Sequence, residues 1–226
     1  MKDEEFLSQV PLFHSLSEEA MKGLLANIRK IRFKKGEALF KKGMEGDSLF
    51  IIKRGKVKIV IGSEDGEEII LAIFSVGDFF GEMSLLDGMP RSADAVAIED
   101  TEVMMLNRRE FINFLIGNEQ AIRSILQSLS MRLRKTDDML EDTCFLNISE
   151  RVRKKLLELA ESYGIEEKKS ILIDLDITQR ELAGMVGATR ESVNKSLRIL
   201  REKGIISTEG GRIRIHNLNL LRKRHS

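Results

Sequence analysis

Phe80-Gly81-Glu82-Met83-Ser84-Leu85-Leu86-Asp87-Gly88-Met89-Pro90-Arg91-Ser92-Ala93 is the stretch on which the reading of this chain turns. Gly81 permits close approach of the backbone to another group. Glu82 to Leu86 can start a short helix, whose first free N–H groups, including that of Met83, favour an anion. Arg91 adds a charge-assisted fork, and Ser92 a hydroxyl and an amide, from the strand expected to follow. Glu82 contradicts a plain anion site, because a carboxylate repels a phosphate unless it accepts a sugar hydroxyl instead. One anion-holding arginine with one hydroxyl-binding carboxylate matches a nucleoside monophosphate, cyclic or otherwise. The competing reading is an Arg91–Glu82 ion pair that merely braces a turn.

Upstream and downstream of this stretch, glycines punctuate short apolar runs. Eleven of the 17 glycines lie in residues 1–117, and nine of those fall between Gly36 and Gly88. Between them stand Ser48-Leu49-Phe50-Ile51-Ile52, Val57-Lys58-Ile59-Val60-Ile61 and Ile69 to Phe74, followed by Ala93 to Ile98 and Glu102 to Leu106. Val57, Ile59 and Ile61 alternate with their neighbours as a half-buried strand does, and Asp65-Gly66 reads as a hairpin turn. Many short strands at this spacing predict a barrel, sandwich or jelly-roll-like β-fold. Helical patterns flank it, one opening at Ser17 as N-cap and one over Arg108 to Ile116.

From Asn118 to Thr143 glycine and proline are absent. A helix of that length would run roughly 39 Å. Ile122, Leu126, Leu129, Leu133, Thr136, Leu140 and Thr143 recur at alternating steps of four and three. That is a heptad seam, with Arg132, Arg134, Lys135, Asp138 and Glu141 off it, and it predicts pairing with a second copy. Thr136 is a hydroxyl between Leu133 and Leu140 of the stripe, either setting register or meeting something polar at the dimer axis.

Beyond Cys144-Phe145-Leu146-Asn147, residues Arg151 to Tyr163 form an amphipathic helix. Thr178 and Glu181 form a capping box ahead of Leu182, Ala183 and Val186; Gly187 stops that helix and Thr189 opens the next. Two short helices joined by a glycine turn are a helix-turn-helix signature. The runs Lys203-Gly204-Ile205-Ile206 and Arg212-Ile213-Arg214-Ile215, flanking Glu209-Gly210-Gly211, add a hairpin wing. Charge follows the same division. The 226 residues carry 37 Lys+Arg and 36 Asp+Glu, a net of +1 that argues for no polyanionic partner. Residues 148–226 hold 17 and 11, or +6, and residues 1–147 hold 20 and 25, or −5. The basic surplus lies where a phosphate-binding helix-turn-helix needs it.

With these elements in order, the Phe80–Ala93 segment closely resembles the phosphate-binding cassette of cyclic-nucleotide-binding domains. Nearly the whole chain resembles the cyclic AMP receptor protein (catabolite activator) family of bacterial transcription regulators. The resemblance is dense in Phe80–Ala93, Thr136–Leu146 and Thr178–Leu200, and thin in the first 40 residues and the tail. It implies an α+β chain: a β-roll with flanking helices over 1–117, a dimerisation helix over 118–144 and a winged helix-turn-helix over 145–226. By the same resemblance, Glu82 accepts the ribose 2′-hydroxyl. Arg91, Ser92 and backbone amides near Gly81, Met83 and Ala93 hold the cyclic phosphate, and Thr136 reaches the base. Asp137 departs from the family's cyclic-AMP pattern, which has serine. A carboxylate accepts from adenine N6 or from guanine N1–H and N2–H₂ together, so cyclic AMP and cyclic GMP are both candidate effectors; pairing of Asp137 with Arg134 or Lys135 is the alternative.

Thr189 to Lys195 would be the recognition helix. Arg190 suits guanine O6 and N7, Glu191 cytosine N4, and Lys195, where the family more often has arginine, a further guanine. The family's half-sites read like TGTGA. Thr178, Gln179, Thr189, Ser192 and Arg212 suit phosphate contacts, which position without specifying. The implied partners are a second copy, palindromic double-stranded DNA and RNA polymerase.

One cysteine excludes a disulfide framework, a Cys-rich zinc site and a four-cysteine cluster. His14, His216 and His225 are poorly placed for haem, His14 reading as partly buried and Cys144 as a small buried residue at the hinge. No metal or prosthetic group is expected. No apolar run is long enough to span a membrane and the start lacks a signal core, so a cytoplasmic protein is expected. No nucleophile–base pair or Walker loop supports an enzyme. A nucleotide-sensing subunit of an enzyme, or a regulator of the same fold with another effector or none, are the alternatives.

Overall fold

The computed structural model describes residues 2–64, 66–167 and 170–222. Asp65, half of the expected turn, and His225 lie outside these residues.

The N-terminal elements are α1 (Asp3–Ser8), α2 (Glu18–Ala26), β1 (Arg29–Phe33), β2 (Ala38–Phe40), β3 (Ser48–Arg54), β4 (Val57–Gly62), β5 (Glu68–Phe74), β6 (Phe79–Phe80), α3 (Glu82–Asp87), β7 (Asp94–Ala97), β8 (Thr101–Asn107) and α4 (Arg108–Ile116). The strands form two four-stranded sheets, in the orders β1-β8-β3-β6 and β2-β7-β4-β5. The unbroken apolar run of β3 follows from burial on both faces. Phe50 and Ile52 join Val57, Phe80, Ala95 and Val103 in a core between the two sheets. Leu49 and Ile51 point the other way, into a second core with Phe6, Leu7, Phe13, Met21, Leu85, Phe111 and Ile125. The β1-β8-β3-β6 sheet is therefore sandwiched between a sheet and a layer of helices. Ser17 and Asn107 cap α2 and α4 through their side chains, which accept from Ala20 N and Glu110 N.

The C-terminal elements are α5 (Glu119–Phe145), α6 (Ile148–Tyr163), β9 (Gly164–Glu167), β10 (Ser170–Ile173), α7 (Gln179–Val186), α8 (Arg190–Glu202), β11 (Ile206–Glu209), β12 (Arg212–Ile215) and α9 (Leu218–Arg222). Capping boxes at Asn147/Glu150 and Thr178/Glu181 open α6 and α7. Gly187, left-handed at φ 59°, stops α7, and Thr189 caps α8 by accepting from Ser192 N. Val152, Leu156, Leu182, Val193, Leu197 and Leu200 are buried on α6, α7 and α8. The expected wing is the β11–β12 hairpin, in a sheet of order β11-β12-β10-β9.

Two compact units result: Met1–Gly62 with Ile70–Arg134, and Ser63–Ile69 with Lys135–Ser226. The division falls inside α5. On that helix Ala121 and Ile125 are buried, whereas Leu126, Leu133 and Leu140 of the heptad stripe are 57%, 63% and 65% exposed. Cys144, expected to be buried, is exposed, because it sits beside the stripe on the last turn of α5 rather than under the next helix. His14 is exposed as well, while its neighbours Leu12 and Phe13 take the core positions. Among the described residues no helix is long and apolar enough to cross a membrane.

Two-faced burial of β3 makes a direct prediction. Ile51→Ala and Ile52→Ala, adjacent residues on opposite faces, should each cost about 2–5 kcal/mol in urea unfolding. Ile69→Ala, 44% exposed, should stay within about 0.5 kcal/mol. A large loss at only one of the two adjacent positions would contradict the two-core arrangement.

Candidate functional site

β6 ends in Phe79 and Phe80, which part to the two cores, and the chain then turns through Gly81 at φ 85° into α3. Arg91 lies beneath this turn and is only 5% exposed. Its Nη1 donates to the Gly81 carbonyl at 2.7 Å and its Nη2 to the Ser48 carbonyl at 2.8 Å. The guanidinium carbon stands 4.3 Å over the ring of Phe40 and 5.6 Å from that of Phe50. Glycine is required here for closeness as well as for φ. A Cβ on Gly81 would meet Arg91 Nη1 at 2.7 Å, and one on Gly46 would meet Arg91 Nε at 2.9 Å. Burial pushes the guanidinium below the ordinary arginine value, opposed by the charges of Asp47 and Glu82.

Glu82, 1% exposed, takes Arg132 of α5 as its partner rather than Arg91: Arg132 Nη1 lies 2.6 Å from Glu82 Oε1. Arg132 Nη2 also donates to the Phe79 carbonyl at 2.5 Å, and the guanidinium stands 4.5 Å over the Phe74 ring. Phe80 stacks on both Phe50 and Phe74, at 5.5 and 5.8 Å between ring centroids. A floor of phenylalanines thus carries one arginine at Phe40 and another at Phe74. Two buried polar atoms in this cluster have no partner: Glu82 Oε2, an acceptor, and Arg91 Nε, a donor. Each costs free energy until a further polar group meets it.

Around them, Ala93 is buried and Met83 is 46% exposed, its sulfur 3.8 Å from Ser92 Oγ. Arg91 and Ser92 precede β7 instead of lying in it, and Arg91 N donates to the Met44 carbonyl at 2.8 Å. Thr136 and Asp137 are exposed on α5, within the second unit. Arg132 was legible only as a residue off the seam. Its spacing of four from Thr136, one helical turn, was the signal that could have singled it out.

In the second unit, α8 presents Thr189, Arg190, Glu191, Asn194, Lys195 and Arg198 to solvent, while Val193, Ser196, Leu197 and Leu200 are buried. Asn194 and Arg198 therefore share the face expected for Arg190, Glu191 and Lys195. Thr178 and Thr189 spend their hydroxyls as helix caps, Thr178 Oγ1 also donating to Glu181 Oε2 at 2.8 Å. Ser192 is half-buried, its Oγ 3.0 Å from that of Thr189, and Gln179 is half-buried on the first turn of α7. Arg212 on the wing is ion-paired with Asp174 at 2.8 Å. Arg214 is more tightly held, by Glu209 and Glu167, which raise its pKa.

Comparison with known proteins agrees with both halves of this description. Residues 30–118 match the family described as the cyclic nucleotide-binding domain, and residues 150–224 the Crp-like helix-turn-helix domain. The CRP-like cAMP-activated global transcriptional regulator of Mycobacterium tuberculosis is 34% identical over 221 residues, 98% of this chain and 99% of its own length. The Cyclic AMP receptor protein of Thermus thermophilus is 32% identical over 211 residues, 93% and 94% of the two chains. A solved structure of a CRP/FNR family transcriptional regulator from Thermus thermophilus matches with a TM-score of 0.72 at 27% identity, over 86% of this chain and 96% of that one. With a matching family description for each half and relatives above 30% identity along nearly the whole chain, the chain belongs to the cyclic AMP receptor protein (CRP/FNR) family of transcription regulators.

Proposed function

We propose that this protein is a homodimeric transcription regulator of palindromic DNA, gated by a cyclic nucleotide that binds at the Glu82–Arg91 cassette. The observation that carries the proposal is the pair of buried orphans, Glu82 Oε2 and Arg91 Nε. A sugar hydroxyl donates to the first, and a phosphate oxygen accepts from the second. Charge supports the same occupant. Two arginines, Arg91 and Arg132, outnumber the one buried carboxylate, Glu82, so a monoanionic cyclic phosphate balances the cluster, with Asp47 outside at the surface. Ser92 and the amides of Gly81, Met83 and Ala93 are the remaining phosphate contacts we assign, and Thr136 and Asp137 the base contacts.

Cyclic AMP is the first choice of effector, since two relatives, at 34% and 32% identity, carry that nucleotide in their names. Asp137 keeps cyclic GMP in contention. Side-by-side calorimetric titration with the two nucleotides decides between them, and Asp137→Ser should shift any preference toward cyclic AMP. Arg91→Ala should abolish nucleotide binding while leaving non-specific DNA binding intact. Unchanged nucleotide affinity in that variant would remove the site assignment.

The working parts are residues 1–117 as sensor, 118–144 as the pairing helix and 145–226 as the DNA reader. The exposed stripe of Leu126, Leu133 and Leu140 supports pairing with a second copy, which would set two recognition helices about one DNA turn (~34 Å) apart. Arg190, Glu191 and Lys195 read base edges. Thr178, Gln179, Thr189, Ser192 and Arg212 contact phosphates, Arg212 by exchanging Asp174 for the anion. We assign a cytoplasmic, non-enzymatic role with RNA polymerase as a further partner. Arg190→Ala should cost roughly 1–3 kcal/mol at one base pair of a palindromic TGTGA duplex. A uniform loss across all single-base variants of that duplex in gel-shift titrations would contradict base readout by Arg190.

A further inference from the structure

Three methionines stand around the cassette with their side chains exposed, Met44, Met83 and Met89, whereas Met21 and Met104 of the same compact unit are buried. Met44 is tied to the site through its backbone, its carbonyl accepting from Arg91 N at 2.8 Å, while its sulfur accepts from Lys41 N at 3.4 Å. Met83 is tied through its side chain. It is the second residue of α3, next to buried Glu82, and its sulfur accepts from Ser92 Oγ at 3.8 Å. Ser92 is exposed and directly follows buried Arg91. A thioether is a weak acceptor, so an arriving phosphate oxygen takes this hydroxyl from it at little cost. Leucine would supply similar apolar bulk at position 83. The sulfur adds an acceptor and a place for oxidation.

We propose that Met83 is an oxidation site, and that its sulfoxide lowers the affinity of the cassette for its anionic ligand by capturing the Ser92 hydroxyl. The inference rests on the cyclic-nucleotide reading and extends it to regulation of that site. The oxidant is a hydroperoxide, in the simplest case hydrogen peroxide. A lone pair of Met83 Sδ attacks one peroxide oxygen, and the S–O bond forms as the O–O bond breaks. Sulfur gives up two electrons, and the second oxygen leaves as water with both peroxide protons. The oxygen now on sulfur is a full acceptor with partial negative charge. It holds the Ser92 hydroxyl more tightly than the thioether did, and it repels a phosphate oxygen from the same place. The change is reversible, because methionine sulfoxide is a substrate for dedicated reductases. Met44 is open to the same oxidant, but its sulfur engages the Lys41 amide, which is not among the ligand contacts assigned above.

The test uses full-length protein carrying Cys144→Ser throughout, because that exposed thiol also reacts with peroxide. Each variant is treated with hydrogen peroxide and its modified methionines are located by peptide mass spectrometry. Affinity for cyclic AMP and cyclic GMP is then measured by calorimetry, with the same variant untreated as its own reference. Oxidation should lower the affinity of the parent by about three- to tenfold, and the two methionine sulfoxide reductases, one for each epimer, should restore it. Met83→Leu should show no such loss, and Met44→Leu/Met89→Leu should show it in full. Ser92→Ala, although oxidised at Met83, should show little of it. A second readout needs no nucleotide: amide hydrogen exchange over Arg91–Ala93 should slow on oxidation of the parent, but not of Met83→Leu or Ser92→Ala. A parent that takes up neither nucleotide before treatment would defeat the cyclic-nucleotide reading, and the mass spectra and exchange would then decide the oxidation site. An equal loss in Met83→Leu, or complete sulfoxide at Met83 with affinity and exchange unaltered, would overturn the proposal. So would a Met83 no faster to oxidise than buried Met104.

Discussion

A guanidinium taken out of water has to be given something to hold, and in the β-roll that requirement falls on Arg91. Two carbonyls, of Gly81 and Ser48, take two of its N–H groups, and the Phe40 ring takes the face of its positive charge. This partial satisfaction constrains much around it. Gly46 and Gly81 must lack side chains, β3 must carry its Ser48 carbonyl toward the cassette, and β6 must end where the turn into α3 begins. Removing one partner from a buried charge costs far more than the charge contributes when paired, commonly 3–5 kcal/mol. The arrangement is therefore a poor way to stabilise a fold and a good way to keep a place for an anion.

Glu82 obeys the same constraint with the sign reversed. Buried on α3, it needs a cation, and the one supplied comes from α5. Arg132 holds one carboxylate oxygen and leaves the other without a partner. A ligand hydroxyl can then join the carboxylate without displacing the ion pair, and any group that does so bears on a residue of the long helix. Glu82 and the long helix are joined through Arg132 within the first compact unit, where Ala121, Ile125 and Leu129 of the same helix also pack on the core.

Legibility from sequence varied with how local the physics was. The Thr178/Glu181 capping box, the Gly187 stop and the wing's Gly210-Gly211 are interactions within a few residues and were readable, whereas the equally local Asn147/Glu150 box was not singled out. The strands of β3, β4 and β5 announced themselves by apolar runs, and two-faced burial explains why β3 lacks alternation. β1, β2 and the β9–β10 hairpin were not singled out: β1 is Arg-Lys-Ile-Arg-Phe, a basic edge strand whose charges protect an open edge rather than signal a strand. The acidic and basic cassette residues were readable as a pair, but not their partners. Arg132 is 50 residues from Glu82, and Ser48 is 43 from Arg91, so no spacing rule connects them. Cys144 and His14 are exposed beside apolar sequence neighbours for a common reason: adjacent side chains leave the backbone in different directions, at the helix end of Cys144 and in the turn of His14 alike.

Charge shows the same lesson at a larger scale. Splitting a net of +1 into −5 and +6 located the basic half, yet the cations within that half are not equivalent. Arg153 is 8% exposed and its Nη1 donates to the carbonyls of Leu220 and Leu221 at the end of α9, where burial lowers its pKa. Arg214 is locked between Glu167 and Glu209, and Lys154 and Arg151 are engaged with α5. Those arginines and lysines build the unit. Arg190, Lys195 and Arg198 stand on one exposed face of α8, and Arg212 needs only to release Asp174 at the surface. A surplus computed over a region overstates what a polyanion meets; what it meets is the subset of cations that the fold does not need for itself.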